Sequence, residues 1–181
     1  MPADYLSTIA DELLAAAESA LDEPRTGHAL PDRRYVGVSQ PPADCDQLVV
    51  FYDPDEPIEI RRRGDSTAPS PSDVCAVLPV GRLCVELWRD CWPTVSDGAD
   101  SPVLPTADEI ETATDSLLVD LWALTTGLLV EWSERTLFES VGACSDVEFE
   151  SVVTLEPAGG LVGFRICLQV ALNDLGPGSG S

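Results

Sequence analysis

Lysine is absent from this chain: all ten basic residues are arginine, set against 32 aspartates and glutamates. A Walker-type phosphate loop is therefore impossible, because its lysine is missing. Histidine occurs once, as His28. That excludes His-rich metal sites and leaves a Ser/His/Asp triad one candidate base. His28 stands in a Gly/Pro-rich stretch with no G-x-S-x-G elbow, so no catalytic residue is assigned. The six cysteines (45, 75, 84, 91, 144 and 167) include no pair two to four residues apart, which removes zinc-ribbon and thioredoxin patterns. No apolar run reaches the ~18 residues of a membrane span. The start, Met1-Pro2-Ala3-Asp4, has no basic region followed by an apolar stretch, so no secretory signal is read. The expectation is a protein made and folded in a cytoplasm.

What is present is negative charge. At −22 the chain repels phosphate backbones, whose binding needs a cationic surface, and anionic membranes likewise. So acidic a domain also repels itself unless salt intervenes. At ~1 M salt the Debye length shrinks to ~3 Å and the repulsion becomes local. Acidic excess without lysine fits a high-salt cytoplasm. An acidic protein from a GC-rich genome, with arginine in place of lysine, carries the same signature. Hydrophobic residues make up 44% of 181, enough to bury a core in a single α+β domain over 1–175.

Leu6, Ile9, Ala10, Leu13, Leu14, Ala17 and Leu21 recur at helical spacing and predict a helix over 3–21, ended by Pro24. Residues 22–45 read as a long loop, and such loops tend to be functional. Arg33, Arg34 and Tyr35 are its contact candidates. Leu48 to Phe51 form a continuous apolar run, a central strand covered on both faces. A short strand is read at 58–62, beside the only basic cluster, Arg61, Arg62 and Arg63. Residues 74–92 read as strand with a change of apolar phase after Pro79-Val80-Gly81, implying a bulge or tight hairpin. A polar loop spans 94–105. Thr106-Ala107-Asp108-Glu109 is a capping box that starts a helix running to Arg135. Gly127 inside that helix marks a bend or a close contact. A hairpin closes the domain: Val147, Phe149, Ser151, Val153 and Leu155 share one face of its first strand, and Pro157-Ala158-Gly159-Gly160 makes the turn. The second strand alternates Val162, Phe164, Ile166, Leu168 and Val170 against Arg165, Cys167 and Gln169. Residues 176–181 are a flexible tail by composition.

The sum is an α+β fold: an antiparallel or mixed sheet of about 4–6 strands with two helices on one face. The other sheet face needs a cover, which a neighbouring subunit could supply. Cys75, Cys84, Cys91 and Cys167 read as small buried hydrophobes, not as disulfides, in a reducing compartment. Asp53-Pro54-Asp55-Glu56 reads as a solvated acidic turn, not a cation site. Trp88, Trp92, Trp122 and Trp132 read as core or interface. No cofactor and no metal is implied.

The helix "YLSTIADELLAAAESAL", the strand "CDQLVVFY" and the segment "VCAVLPVGRLCVELWRDCWP" together resemble the tail terminator and tail-completion (neck) proteins of long-tailed double-stranded DNA viruses. So do the helix "TADEIETATDSLLVDLWALTTGL" and the closing "LEPAGGLVGFRICLQVAL". The match covers most of the chain. The acidity departs from the usual pattern and fits a virus of a haloarchaeon. The resemblance implies a non-enzymatic virion subunit forming a ring, a hexamer, that caps the tail tube. Its partners would be the tail-tube protein and the head-side connector or stopper, and DNA would pass its lumen without specific binding. Arg33, Arg34, Tyr35, Arg61, Arg62 and Arg63 would then serve subunit contacts. The rival readings are a head-completion, stopper or adaptor protein, a non-viral acidic binding module, and a halophilic small-molecule enzyme.

Overall fold

The computed structural model describes residues 3–40, 42, 45–53, 59–62, 77–90, 106–139, 147–158 and 160–171. In chain order they form α1 (Ala3–Ala20), α2 (Glu23–Thr26), β1 (Arg33–Gly37), β2 (Gln47–Tyr52), β3 (Glu59–Arg62), β4 (Val77–Asp90), α3 (Ala107–Glu134), β5 (Val147–Ala158) and β6 (Leu161–Ala171). One six-stranded sheet has the order β1-β2-β4-β6-β5, with β3 pairing β4. β1 runs parallel to β2, and the other pairs are antiparallel. The protein is thus α+β with a mixed sheet, as its periodicities imply.

The two long helices cover one sheet face. Ile9, Leu13, Ala17 and Leu21 of the first helical region meet Leu48 and Val50 of β2, Leu83, Val85 and Leu87 of β4, and Phe164, Ile166 and Leu168 of β6. Leu124 and Leu128 of α3 close the same core. α3 starts at the expected capping box: Thr106 Oγ1 accepts from the Glu109 amide, and Glu109 accepts from the Thr106 amide at 2.7 Å. It ends at Arg135 in the left-handed region. Leu137 and Phe138 then turn back into the core. Trp132 Nε1 donates to the Val147 carbonyl at 3.0 Å, and its ring meets Phe149 edge-on. These contacts fasten the end of α3 to the start of β5.

Several expectations need correction. Residues 22–45 are not a structureless loop. Pro24 ends α1 but also opens α2, where its missing N–H costs nothing in the first turn. Arg33, Arg34 and Tyr35 lie in edge strand β1. β4 contains neither hairpin nor bulge: its register with β6 is continuous from Val80 to Asp90. A register shift does occur in β5, read from its sequence as regular alternation, between Phe149 and Ser151. Val147 and Phe149 therefore share a face with Val152 and Thr154, opposite Val170, Leu168, Ile166 and Phe164. Ser151 and Val153 turn to the other side. The segments 63–76 and 91–105, with Arg63, Cys75, Cys91 and the 94–105 loop, lie outside the described residues, as do Cys144 and the 176–181 tail.

The second sheet face is not bare. Val49, Phe51, Cys84 and Cys167 form a second buried cluster, with Tyr35 against it. No neighbouring subunit is required to bury them. Cys84 and Cys167 stand directly opposite across β4 and β6 and are joined by a disulfide. This overturns the reading of both as unlinked small hydrophobes. The bond spans a sequence separation of 83, and in the chain-entropy picture a loop that long stabilises by about 4–5 kcal/mol.

Gly127 marks a close contact. A Cβ there would stand 2.5 Å from the Ala20 Cβ and 3.2 Å from the Ala20 Cα. Gly127→Ala gains ~1 kcal/mol of helix propensity, but it must push α1 off α3, and overpacking costs about 1–3 kcal/mol. We expect net destabilisation, read as a lower urea midpoint at unchanged slope. A midpoint at or above that of the parent would contradict the close approach.

Candidate functional site

A buried polar constellation with a cleft over it lies where the N-terminal half of α3 meets the end of β4. Asp120 sits on the inner stripe of α3 with Ala113 and Leu124 and has 0% exposure. Two side chains answer it. Arg89, near the end of β4, places Nε 2.8 Å from Asp120 Oδ2. His28 places Nδ1 3.2 Å from Asp120 Oδ1. Local chemistry delivers His28 there. Gly27 takes a left-handed φ of 72° after α2, and the buried Thr26 hydroxyl accepts from the His28 amide at 3.2 Å.

Arg89 also donates to the Ala29 carbonyl at 2.9 Å and lies 3.6 Å from Asp46, just before β2. Arg89 Nη2 and Asp46 Oδ1 are buried without a hydrogen-bond partner. A cleft of about 590 Å³ opens over this group, lined also by Asp90, Asp108, Glu109 and Ser116. Burial raises the Asp46 carboxyl above the usual range. Asp120 and Asp90 push the same way, while the Arg89 guanidinium opposes them. At the rim, the Thr106 backbone and side chain hold the Glu109 carboxyl below its ordinary value. Asp46, Asp90, Asp108, Glu109 and Asp120 outnumber the one guanidinium, Arg89, so phosphates and carboxylates are repelled. The arrangement works as an ion-pair lock between helix and sheet.

A second charged row crosses the other sheet face. Glu86 of β4 has 0% exposure. Arg165 of β6 binds its Oε2 through Nε at 2.8 Å and Nη2 at 2.7 Å, and Trp88 Nε1 donates to Oε1. Arg165 also stacks over the Phe51 ring. Beside it Arg82 lies 2.9 Å from Asp53 and 2.7 Å from Glu150. Asp53 is thus a buried ion-pair partner, not part of a solvated turn; residues 54–58 lie outside the described residues.

The residues singled out for contacts are not gathered into one site. Arg34 is tied to Glu18 of α1 at 2.8 Å and to the Pro31 carbonyl. Arg33 stacks over Tyr35 and points Nη1 at the Cys45 sulfur, 3.3 Å away. Arg61 and Arg62 pair with Leu78 and Val77 in the β3–β4 ladder, and β2 lies between β1 and β4. Asp120 was missed, yet it leaves a signal. An aspartate three residues after Leu117 and four before Leu124 interrupts an otherwise apolar stripe, which marks a buried charge with a partner.

α3 presents another surface. Trp122 is 73% and Leu118 54% exposed, with Val119, Leu129, Val130 and Trp132 also exposed. The helix is long and apolar enough to span a membrane by length and composition, which a count of uninterrupted apolar residues does not reveal. Its inner face, however, carries the Asp120–Arg89 pair and the core leucines. No protein-family model matches the chain and no curated protein matches it significantly.

Two outcomes follow from the lock. Asp120→Ala leaves the Arg89 guanidinium without its main counter-charge, and breaking a buried pair costs about 3–5 kcal/mol; chemical denaturation should register a loss of that order, and a loss under ~1 kcal/mol would show the pair idle. Asp46 carries the opposite sign. Its folded-state pKa is raised, so its ionisation costs stability above that pKa, and the cost disappears as pH falls through it. Asp46→Asn should match or exceed the parent in stability at neutral pH, with the difference shrinking under acid. A variant that is less stable at neutral pH would mean the attraction to Arg89 outweighs burial.

Proposed function

We propose that this chain is a self-associating structural subunit of a tailed-virus neck, of the tail-terminator type, forming a ring that ends the tail tube and lets DNA pass. One observation carries the self-association: the outer face of α3. Leu118, Trp122, Thr125 and Leu129 follow one another at helical spacing, flanked by Val119, Thr126 and Val130, with no charge among them. From Leu118 to Val130 this band runs about 18 Å at 1.5 Å per residue. On a chain of net charge −22, an uncharged apolar band with an exposed tryptophan is a surface suited to a partner. A second copy is the partner that shares such a band, and repeated contacts between copies close into a ring when the rotation allows.

The neck placement rests on the likeness of the five quoted segments to tail terminators and on the arrangement of helix, strands, long helix and hairpin. An anionic lumen suits DNA passage, because like charge prevents trapping. In this reading the tail-tube protein and the head-side connector are the axial partners, and the exposed arginines of β1 are rim contacts. The charge lock at Asp120 serves as architecture that fixes α3 for its outer contact.

The test is association as a function of salt and sequence. The parent chain should assemble toward about six times 19.3 kDa, and more completely at high salt, where self-repulsion is screened. Trp122→Glu should weaken assembly by about 2 kcal/mol or more, the range of an interfacial tryptophan hot spot, with an unchanged far-ultraviolet spectrum. Mass spectrometry of purified particles should find the chain at a few copies per virion. A chain that stays monomeric at every salt concentration and is missing from particles would end this reading.

A further inference from the structure

The centre of the second sheet face brings three metal-binding groups together. Asp53 follows β2 immediately, and its amide donates to the Arg82 carbonyl at 3.0 Å, which draws the residue over β4. Cys84 of β4 and Cys167 of β6 face each other in register beside it. One carboxylate oxygen and both sulfurs lie within 4.8 Å of one another, and all three residues are buried. Residues this far apart in sequence meet only because β2, β4 and β6 are neighbours in the sheet.

Two sulfurs and one carboxylate at this spacing form a soft-to-borderline donor set suited to a zinc-class dication. We propose that, once the Cys84–Cys167 bond is reduced, Asp53, Cys84 and Cys167 hold one thiophilic divalent cation. The disulfide and the metal are alternative cross-links between the same two strands. Opening the bond takes two electrons and two protons: two molecules of a cellular monothiol supply them and leave as one disulfide. The incoming dication then displaces the proton of each cysteine thiol to solvent. Its two thiolates and one carboxylate leave the centre at −1. The Arg82 guanidinium, 2.9 Å from Asp53, offsets that residual charge, as a buried site needs. Glu150, also on Arg82, is part-exposed and faces solvent screening.

Cobalt(II) is the probe, because thiolate ligation and tetrahedral geometry both colour it. The full chain is reduced with a phosphine, which becomes its oxide with the oxygen of water, then desalted without air and titrated. The reduced chain should take up one cobalt with a sulfur-to-cobalt charge-transfer band of two thiolates, and release two protons. The disulfide form should take up none. Asp53→Asn should weaken cobalt binding by about tenfold or more. Bound cobalt should slow alkylation of Cys84 and Cys167, mapped by peptide mass, relative to the reduced metal-free chain; this readout uses the parent protein and does not depend on a variant folding. Absence of uptake by the reduced chain, equal uptake by the disulfide form, or protection confined to other cysteines would overturn the assignment.

Discussion

Asp120 is bonded to Arg89 and His28 at the junction of helix and sheet, and the orientation of α3 depends on it. The C-terminal half of that helix has Leu124, Leu128 and the Gly127–Ala20 approach to hold it in place. The N-terminal half has less apolar anchorage: Ala113 is buried and Leu117 is half-buried against the core. A carboxylate that must meet a guanidinium therefore helps set the helix rotation there, on the same stripe as Leu117. With ~3.6 residues per turn, positions two before and two after an inward residue point almost directly away from it. Leu118 and Trp122 hold those positions. The apolar band on the outside of α3 is the geometric counterpart of the aspartate on its inside.

The same logic explains what arginine does in so acidic a chain. Arg34, Arg82, Arg89 and Arg165 each pair with a carboxylate of this chain. Arg165 shows why a guanidinium suits such pairing. Two of its nitrogens serve one Glu86 oxygen, while its plane lies over Phe51. A compact ammonium has no such plane to stack. Arg82, Arg89 and Arg165 are drawn into largely buried ion pairs, each neutralised by a carboxylate of the same chain.

The fold was legible where periodicity or capping spoke directly. The apolar spacing of α1, the run of β2, the Thr106–Glu109 box and the alternation of β6 each correspond to the observed element. What stayed hidden depended on partners distant in sequence. β1 has only five residues, and its Arg-Arg-Tyr start resembles a loop until β2 is seen beside it. The β5 bulge cannot be read from β5 alone, because a register shift is defined by the opposite strand. Cys84 and Cys167 looked like core residues, and they are; their bond follows from facing positions on β4 and β6, which spacing along the chain does not encode. Asp120 was readable in principle as a break in an apolar stripe, but its partners, His28 and Arg89, come from two other elements.

Charge and shape then combine into a constraint on association. Over most orientations two copies of this chain meet as like-charged bodies, and at low ionic strength that repulsion reaches well beyond contact distance. An approach along the outer face of α3 is different, because the band from Leu118 to Val130 carries no charge and offers apolar area to bury. Specificity arises from what the rest of the surface repels as much as from what the band attracts. Salt acts on the two terms in the same direction: it screens the repulsion and leaves the apolar term at least as strong. A contact built mainly from arginine–carboxylate pairs would respond in the opposite sense, since screening weakens it. If copies associate as proposed, the salt response would therefore distinguish the α3 face from the β1 and β3 arginines as the seat of contact.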